Sequence, residues 1–352
     1  MCNIAGYIGN KSAAPILIEM MKKQEGFGGG FYTGLSIHDG KRLQTVKVVG
    51  NLDNLLNETD AASFSGSVGF LHSRSNSGGN VAWGQPFTSN EGDISYIANG
   101  VRGDFLTEEM LKERQKVATC LWNEGYIFRS KVEGQVGTYL QPLENVCIHD
   151  SEFMCQYIAS LIAQGLTVDA AMSRAISTFP TEIVALVLRE QNPGRIFVSR
   201  MNYPMMIGIA EDGDTYLATT AMAFPEHVKF RSIESLPPLS TCEVFRGGFR
   251  MSEVPITVMN VASVTPEIWS QAYIFLENYL IDKKEEPKDM DTLIELCDGF
   301  WEKGKTRQGA FLVYEILRAF QKQGRLQVVK CAKQGAFDGY SMEEFRVYIT
   351  EV

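Results

Sequence analysis

The sequence predicts a layered α+β sandwich over residues 1–262 and a small helical, winged-helix-like module over 263–352. Three observations predict this division. Short strand patterns recur as hairpin-connected sets, and not singly between helices as a parallel sheet requires. Helix patterns with one apolar face sit between those sets, starting at Asp150 and at Thr167. After about residue 262 the chain changes to aromatic-rich helices and closes on a short β-like end.

The elements follow in order. Ile4 to Gly9 is apolar and glycine-punctuated, the pattern of a buried strand, which would hold the terminus rigid. Residues 14–23 read as a short helix with Pro15 in its first turn. Gly26-Phe27-Gly28-Gly29-Gly30 is too glycine-rich for a regular element and reads as backbone approaching something closely. It is not a phosphate loop, because no Gly-Lys-Ser/Thr follows. Leu35–His38 and Thr45–Val49 alternate around an Asp39-Gly40 turn. Apolar strands end at Arg74 and at Asn99-Gly100, and a helix is expected near 107–123. Short strands at 182–188, 195–199, 205–209 and 215–219 read as one antiparallel meander, with a further strand near 241–246. Thr265-Pro266 opens a helix, two more fit 290–302 and 307–322, and 326–330 with 345–349 close the chain.

Composition narrows the function. The 352 residues are 45% hydrophobic and 21% charged, the balance of a globular protein of roughly two domains. With 33 Lys+Arg against 42 Asp+Glu the formal charge is −9, and no basic run stands out, so nucleic acid is not an expected partner. No apolar run is long enough to cross a bilayer and no signal peptide is read. The 7 cysteines are scattered and form no C-x-x-C pair, which suggests neither a zinc ribbon nor a disulfide framework. A reducing, cytoplasmic setting is expected, with no metal and no cofactor.

Four places carry candidate chemistry. Met1 precedes the small residue Cys2, so removal of Met1 would leave a thiol and a free α-amine on one residue, a nucleophile beside a base. Arg74 ends a buried strand, and its planar fork suits a carboxylate or a structural salt bridge. His72 lies two residues earlier on the same strand face, as a packed histidine would. Asn99-Gly100 is either a simple turn or a pair of donors for a developing oxyanion. Asp150 precedes an amphipathic helix and fits its N-cap.

In their order these stretches resemble the class II, N-terminal nucleophile, glutamine amidotransferases, and most closely the glutaminase half of the glucosamine-6-phosphate synthases (glutamine–fructose-6-phosphate aminotransferases). The resemblance covers about residues 2–248. Its marks are Met1 to Gly6, Val68 to Gly79, Ile94 to Gly100, His149 to Glu152, and Ser199 to Gly208 continuing through Tyr216 to Phe224. It implies a four-layer αββα N-terminal nucleophile hydrolase fold. It implies Cys2 as nucleophile with its α-amine as base, and Asn99 and Gly100 as the oxyanion hole. It also implies Arg74 on the glutamine carboxylate, Asp150 on the glutamine ammonium, and Ser75 and Ser77 around the substrate. The reaction implied is amide hydrolysis through a thioester, releasing ammonia and then glutamate.

The chain departs from the family at named positions. Asn3 stands where the family has Gly, Phe27-Gly28-Gly29 stands for a Tyr-Arg-Gly loop, and Gly78 replaces a His. The stretch from Asn99 to Asp150 is longer than usual, and residues 263–352 are too few for the two sugar-phosphate domains of the isomerase half. The expected partners are therefore L-glutamine and a separate synthase subunit or a second copy, met through 263–352. Two alternatives stand beside this reading: another N-terminal cysteine amide hydrolase, and a non-catalytic glutamine-binding regulatory protein.

Overall fold

The computed structural model describes residues 1–75, 81–101, 107–137, 139–257, 260–302 and 306–351. Its core is two antiparallel sheets packed face to face. The first runs, strand by strand, Phe230–Ser235, Met206–Ala210, Thr215–Ala218, Asn3–Ile8, Val68–Arg74, Tyr32–His38, Leu43–Val49. The second runs Gly248–Met251, Ser240–Phe245, Arg195–Arg200, Glu182–Arg189, Ile94–Val101, Phe87–Thr88.

Alternation along the strands builds the layers. In Asn3–Ile8 the residues Ile4 and Ile8 point between the sheets, where they meet Val68, Phe70, Ile97, Val184, Leu186 and Ile196. Ala5 and Tyr7 point the other way, under Leu17, Met20 and Met21 of helix Ala13–Gln24. The second sheet does the same. Tyr96, Ala98, Ala185 and Val187 face Phe153 and Met154 of helix Asp150–Ala163, and Ala171 and Met172 of helix Val168–Thr178. Each fully buried Ile, Leu or Phe contributes about 1.5–3 kcal/mol. All six residues of Asn3–Ile8 are buried, and the strand is paired on both sides. The terminus is therefore fixed at the middle of a sheet and does not fray.

Two expectations need correction. The strands between 182 and 219 are not one meander. Glu182–Arg189 and Arg195–Arg200 belong to the second sheet, Met206–Ala210 and Thr215–Ala218 to the first. Turn residues mark where a hairpin closes, but alternating patterns do not say which sheet a hairpin joins. Asp150 is also not the cap of its helix. It is the first helical residue, and the cap is His149, whose Nδ1 accepts the Ser151 N–H at 3.0 Å.

The glycine-rich stretch behaves as its composition predicts. A side chain at Gly28 would collide with the Met1 carbonyl, one at Gly29 with Ser73, and one at Gly26 with the Phe345 ring. Asn3 is fully buried and its Nδ2 donates to the Glu25 carbonyl at 3.2 Å, so it ties the Cys2 strand to this loop.

The C-terminal residues form helices Pro266–Leu280, Met290–Asp298 and Gly309–Lys322 and the hairpin Leu326–Gln334/Ser341–Ile349. Their core includes Leu276, Leu293, Leu312, Leu317 and Val347, together with Phe27 and Met222 from the sandwich. A second fastening is polar. Buried Arg200 donates to the Tyr203 carbonyl at 2.8 Å and to Gln308 Oε1 at 3.1 Å, under the ring of Phe311. Burial lowers its pKa to about 10. Among the described residues no helix is long and apolar enough to cross a membrane.

Candidate functional site

The site lies where the inner faces of the two sheets meet at Cys2. Cys2 is buried, 8% exposed, directly before its strand. Its backbone N–H donates to Asn99 Oδ1 at 3.1 Å, across from the other sheet. Its Sγ accepts the Ser75 N–H at 3.4 Å and lies 3.5 Å from Ser75 Oγ. The cross-strand pairs Ile4–His72 and Asn3–Ser73 put His72 and Arg74 on the face that carries Cys2.

The thiol's pKa is lowered by its surroundings. Burial alone would raise its pKa, but the neighbouring His72 imidazole, the chain's amino terminus and the Ser75 N–H outweigh burial. The value falls from 9.0 to about 6. His72 Nε2 sits 3.2 Å from the Ala98 carbonyl, and Nδ1 is committed to no other hydrogen bond. His72 is fully buried and hydrogen-bonded, as its sequence position predicts, and it also stands beside the Cys2 thiol.

Asn99 is 1% exposed, and its Nδ2 has no hydrogen-bond partner among the described residues. A buried donor left open in this way is costly unless something fills it, and it lies next to Cys2. Gly100 follows with φ +146°, a backbone conformation that L side chains rarely adopt. These two neighbours can therefore face a developing negative oxygen.

Arg74 is 1% exposed, with its guanidinium 4.9 Å from the Tyr32 ring centroid and 5.9 Å from that of Trp83. Trp83 was not singled out in the sequence. Its Nε1 donates to the Ser130 carbonyl at 2.7 Å, and its ring meets His149 edge-on at 5.2 Å. Glu152 holds that segment by accepting the N–H groups of Arg129 and Ser130 at 2.8 and 2.7 Å. Lys47 Nζ donates to the Gly84 carbonyl at 2.7 Å beside Trp83, and burial lowers its pKa to about 8.

A chain of rings thus leads from Arg74 through Trp83 to His149 and so to Asp150. Asp150 Oδ1 lies 3.6 Å from Nη2 of Arg114, a buried residue of helix Glu108–Asn123 stacked on Phe153. That helix belongs to the stretch longer than the family's. Ser77 lies outside the described residues. Among the described residues no group of three acidic, histidine or cysteine side chains is placed to hold a metal.

No protein-family model matches the chain. The N-terminal portion is similar to glutamine–fructose-6-phosphate aminotransferases (isomerizing). That of Chlorobaculum tepidum is 28% identical over 231 residues, 64% of this chain and 33% of that protein. That of Methanosarcina acetivorans is 29% identical over 241 residues, 65% and 34% respectively. The chain spans about a third of the length of these relatives. Among solved structures, the glutamine phosphoribosylpyrophosphate amidotransferase of B. subtilis superposes with a TM-score of 0.56 at 17% identity, over 76% of this chain and 52% of that one. The allosteric regulatory enzyme of purine biosynthesis superposes with 0.57 at 16% identity, over 90% and 63%. Over its N-terminal two thirds, the chain is a homologue of the glutamine–fructose-6-phosphate aminotransferases, on the fold of the N-terminal nucleophile glutamine amidotransferases.

Proposed function

We propose that the chain is a glutamine amidotransferase that hydrolyses L-glutamine at Cys2. Removal of Met1 frees the Cys2 α-amine, which takes the thiol proton. The sulfur attacks the side-chain carboxamide carbon, and the negative oxygen is held by Asn99 Nδ2 and the Gly100 N–H. The amine returns its proton to the leaving nitrogen, so ammonia departs and a thioester remains. Water adds to the thioester, the C–S bond breaks, and glutamate leaves as the thiol re-forms. Arg74 receives the substrate carboxylate, Asp150 the ammonium, and Ser75 and Ser77 border the reacting end.

One observation carries this reading: the buried, unpartnered Asn99 donor stands beside a thiol whose pKa is about 6. The test is glutamate release by the purified chain and by Cys2→Ala. Abolished release in a folded Cys2→Ala variant supports the reading, and undiminished release sinks it.

The division into a glutaminase part, 1–262, and a module, 263–352, belongs to the same proposal, as does delivery of ammonia to a separate synthase. The homology covers about two thirds of this chain and about a third of the relatives' length. Co-purification of the full chain and of a 1–262 chain with a candidate synthase tests the delivery. Equal capture by both would remove the docking role from 263–352.

A second reading has its own observation. The Arg114 guanidinium already answers the Asp150 charge, which favours an amide lacking a free α-ammonium. Comparing glutamine with N-acetylglutamine decides between the two. A higher kcat/KM for the acetylated amide would move the substrate away from glutamine.

A further inference from the structure

A cavity of about 350 Å³ opens beside the nucleophile. It is walled by Met1 and Ser75 on the sandwich side, and its described lining contains neither Arg74 nor Asp150. It is reached from the same end of the Cys2 strand and adjoins the site at Ser75, whose Oγ lies 3.5 Å from the Cys2 sulfur. Its opposite wall comes from the start of helix Met290–Asp298 and from the C-terminal hairpin.

The chemistry of the wall is uneven. Phe27, Phe31, Met342 and Phe345 supply an apolar floor. Asp289, Asp291 and Glu344 face one lysine, Lys333, among the described lining residues. Lys333 is already paired with Glu344, and Asp289 caps its own helix by accepting the Thr292 N–H at 2.9 Å. Asp291, whose side chain is 73% exposed, makes neither of those contacts, and a cation already stands at it. The α-ammonium of Met1 is 3.6 Å from Asp291 Oδ1, while the Met1 side chain is 4% exposed and packs against the C-terminal core. Removal of Met1, on which the proposed function and this inference both rest, takes the ammonium away from Asp291 together with the thioether, and the new amino terminus is the Cys2 nitrogen, which lies 3.1 Å from Asn99 Oδ1. What remains is a hollow with a carboxylate at one end and an apolar floor.

We propose that this cavity is a ligand site of the mature protein, fitted to a small amine-bearing cation with a short apolar arm. The excess of carboxylates sets it against phosphorylated sugars. It is a site at which a second small molecule can sit against the amidotransferase centre while glutamine occupies the other side. The hairpin is thereby part of that centre and not a distant appendage.

The test uses the full chain, its start at Cys2 checked by intact mass. Binding is followed by calorimetry with three probes: L-methioninamide, its N-acetyl derivative, and fructose 6-phosphate. The expected result is binding of L-methioninamide, at least tenfold weaker binding of the other two, and at least tenfold loss in Asp291→Asn. Met342→Trp, which fills the floor, should abolish binding, and Asp291→Asn should leave glutamate release without probe unchanged. Absent binding of L-methioninamide, binding indifferent to Asp291→Asn, or tighter binding of fructose 6-phosphate would each overturn the proposal. A Cys2-initiated chain that releases glutamate but binds no amine overturns this inference alone. A chain that releases no glutamate yet binds the amine overturns the proposed function alone.

Discussion

Cys2 and Asn99 come from different sheets, 97 residues apart, and meet through a 3.1 Å hydrogen bond from the Cys2 N–H to Asn99 Oδ1. The same side chain thus fixes Cys2 with its oxygen, while its Nδ2 has no partner among the described residues. Asn99→Ala is expected to lower kcat about a hundredfold or more, because the lost donor acts on charge that develops only in the transition state. Steady-state kinetics check this. A rise in KM at unchanged kcat would assign Asn99 to ground-state binding instead.

The Cys2 thiol gives a pH prediction with a definite sign. Its pKa lies below the ordinary thiol value, at about 6, so the reactive thiolate is lost as pH falls through about 6 and is full well above it. Alkylation of Cys2 by iodoacetamide should follow that curve. In His72→Ala the imidazole is gone while burial, which raises the pKa, stays, so the midpoint should move upward. An unmoved midpoint would remove His72 from the site.

Arg74 stands between the rings of Tyr32 and Trp83, where a planar guanidinium fits and a compact ammonium does not. Arg74→Lys should raise the KM for glutamine with a loss of about 1.5–3 kcal/mol of binding. Glutamate release over a range of glutamine concentrations measures it, and an unchanged KM would place the substrate carboxylate elsewhere.

The glycine loop yields a stability prediction. Gly26 lies against the Phe345 ring, and Phe27 stacks edge-on against Phe345 at 5.2 Å and Tyr314 at 5.9 Å. Gly26→Ala should destabilise the chain by about 1–3 kcal/mol, the usual effect of overpacking. Gly40→Ala is the control for positive φ, since open space surrounds that Cβ. Denaturant unfolding of both variants separates collision from backbone strain.

Much of the sandwich was legible because its signals are local. The unbroken apolar run Ile4–Ile8 is a strand buried on both faces, and the Asp39-Gly40 turn closes a hairpin that the structure contains. The crossing between sheets after Arg200 was not legible. Its cause is the burial of Arg200 against Ser235, Leu236 and Gln308, contacts distant in sequence. The site divides in the same way. Cys2, Arg74, Asn99 and Gly100 stand at strand ends, where pattern exposes them. Trp83 and Arg114 gain their meaning only from Ser130, Arg74 and Asp150, which no spacing rule links to them.

The proposed reaction makes Cys2 an amino-terminal nucleophile that carries the substrate's acyl group. The direct measurement is mass spectrometry of the full chain mixed with glutamine and quenched in acid during turnover, followed by mapping of the first peptide. The expected product is a chain that begins at Cys2 and bears the mass of glutamine less ammonia on that residue. An active chain that keeps Met1, or that turns over with no acyl group on Cys2, would contradict it.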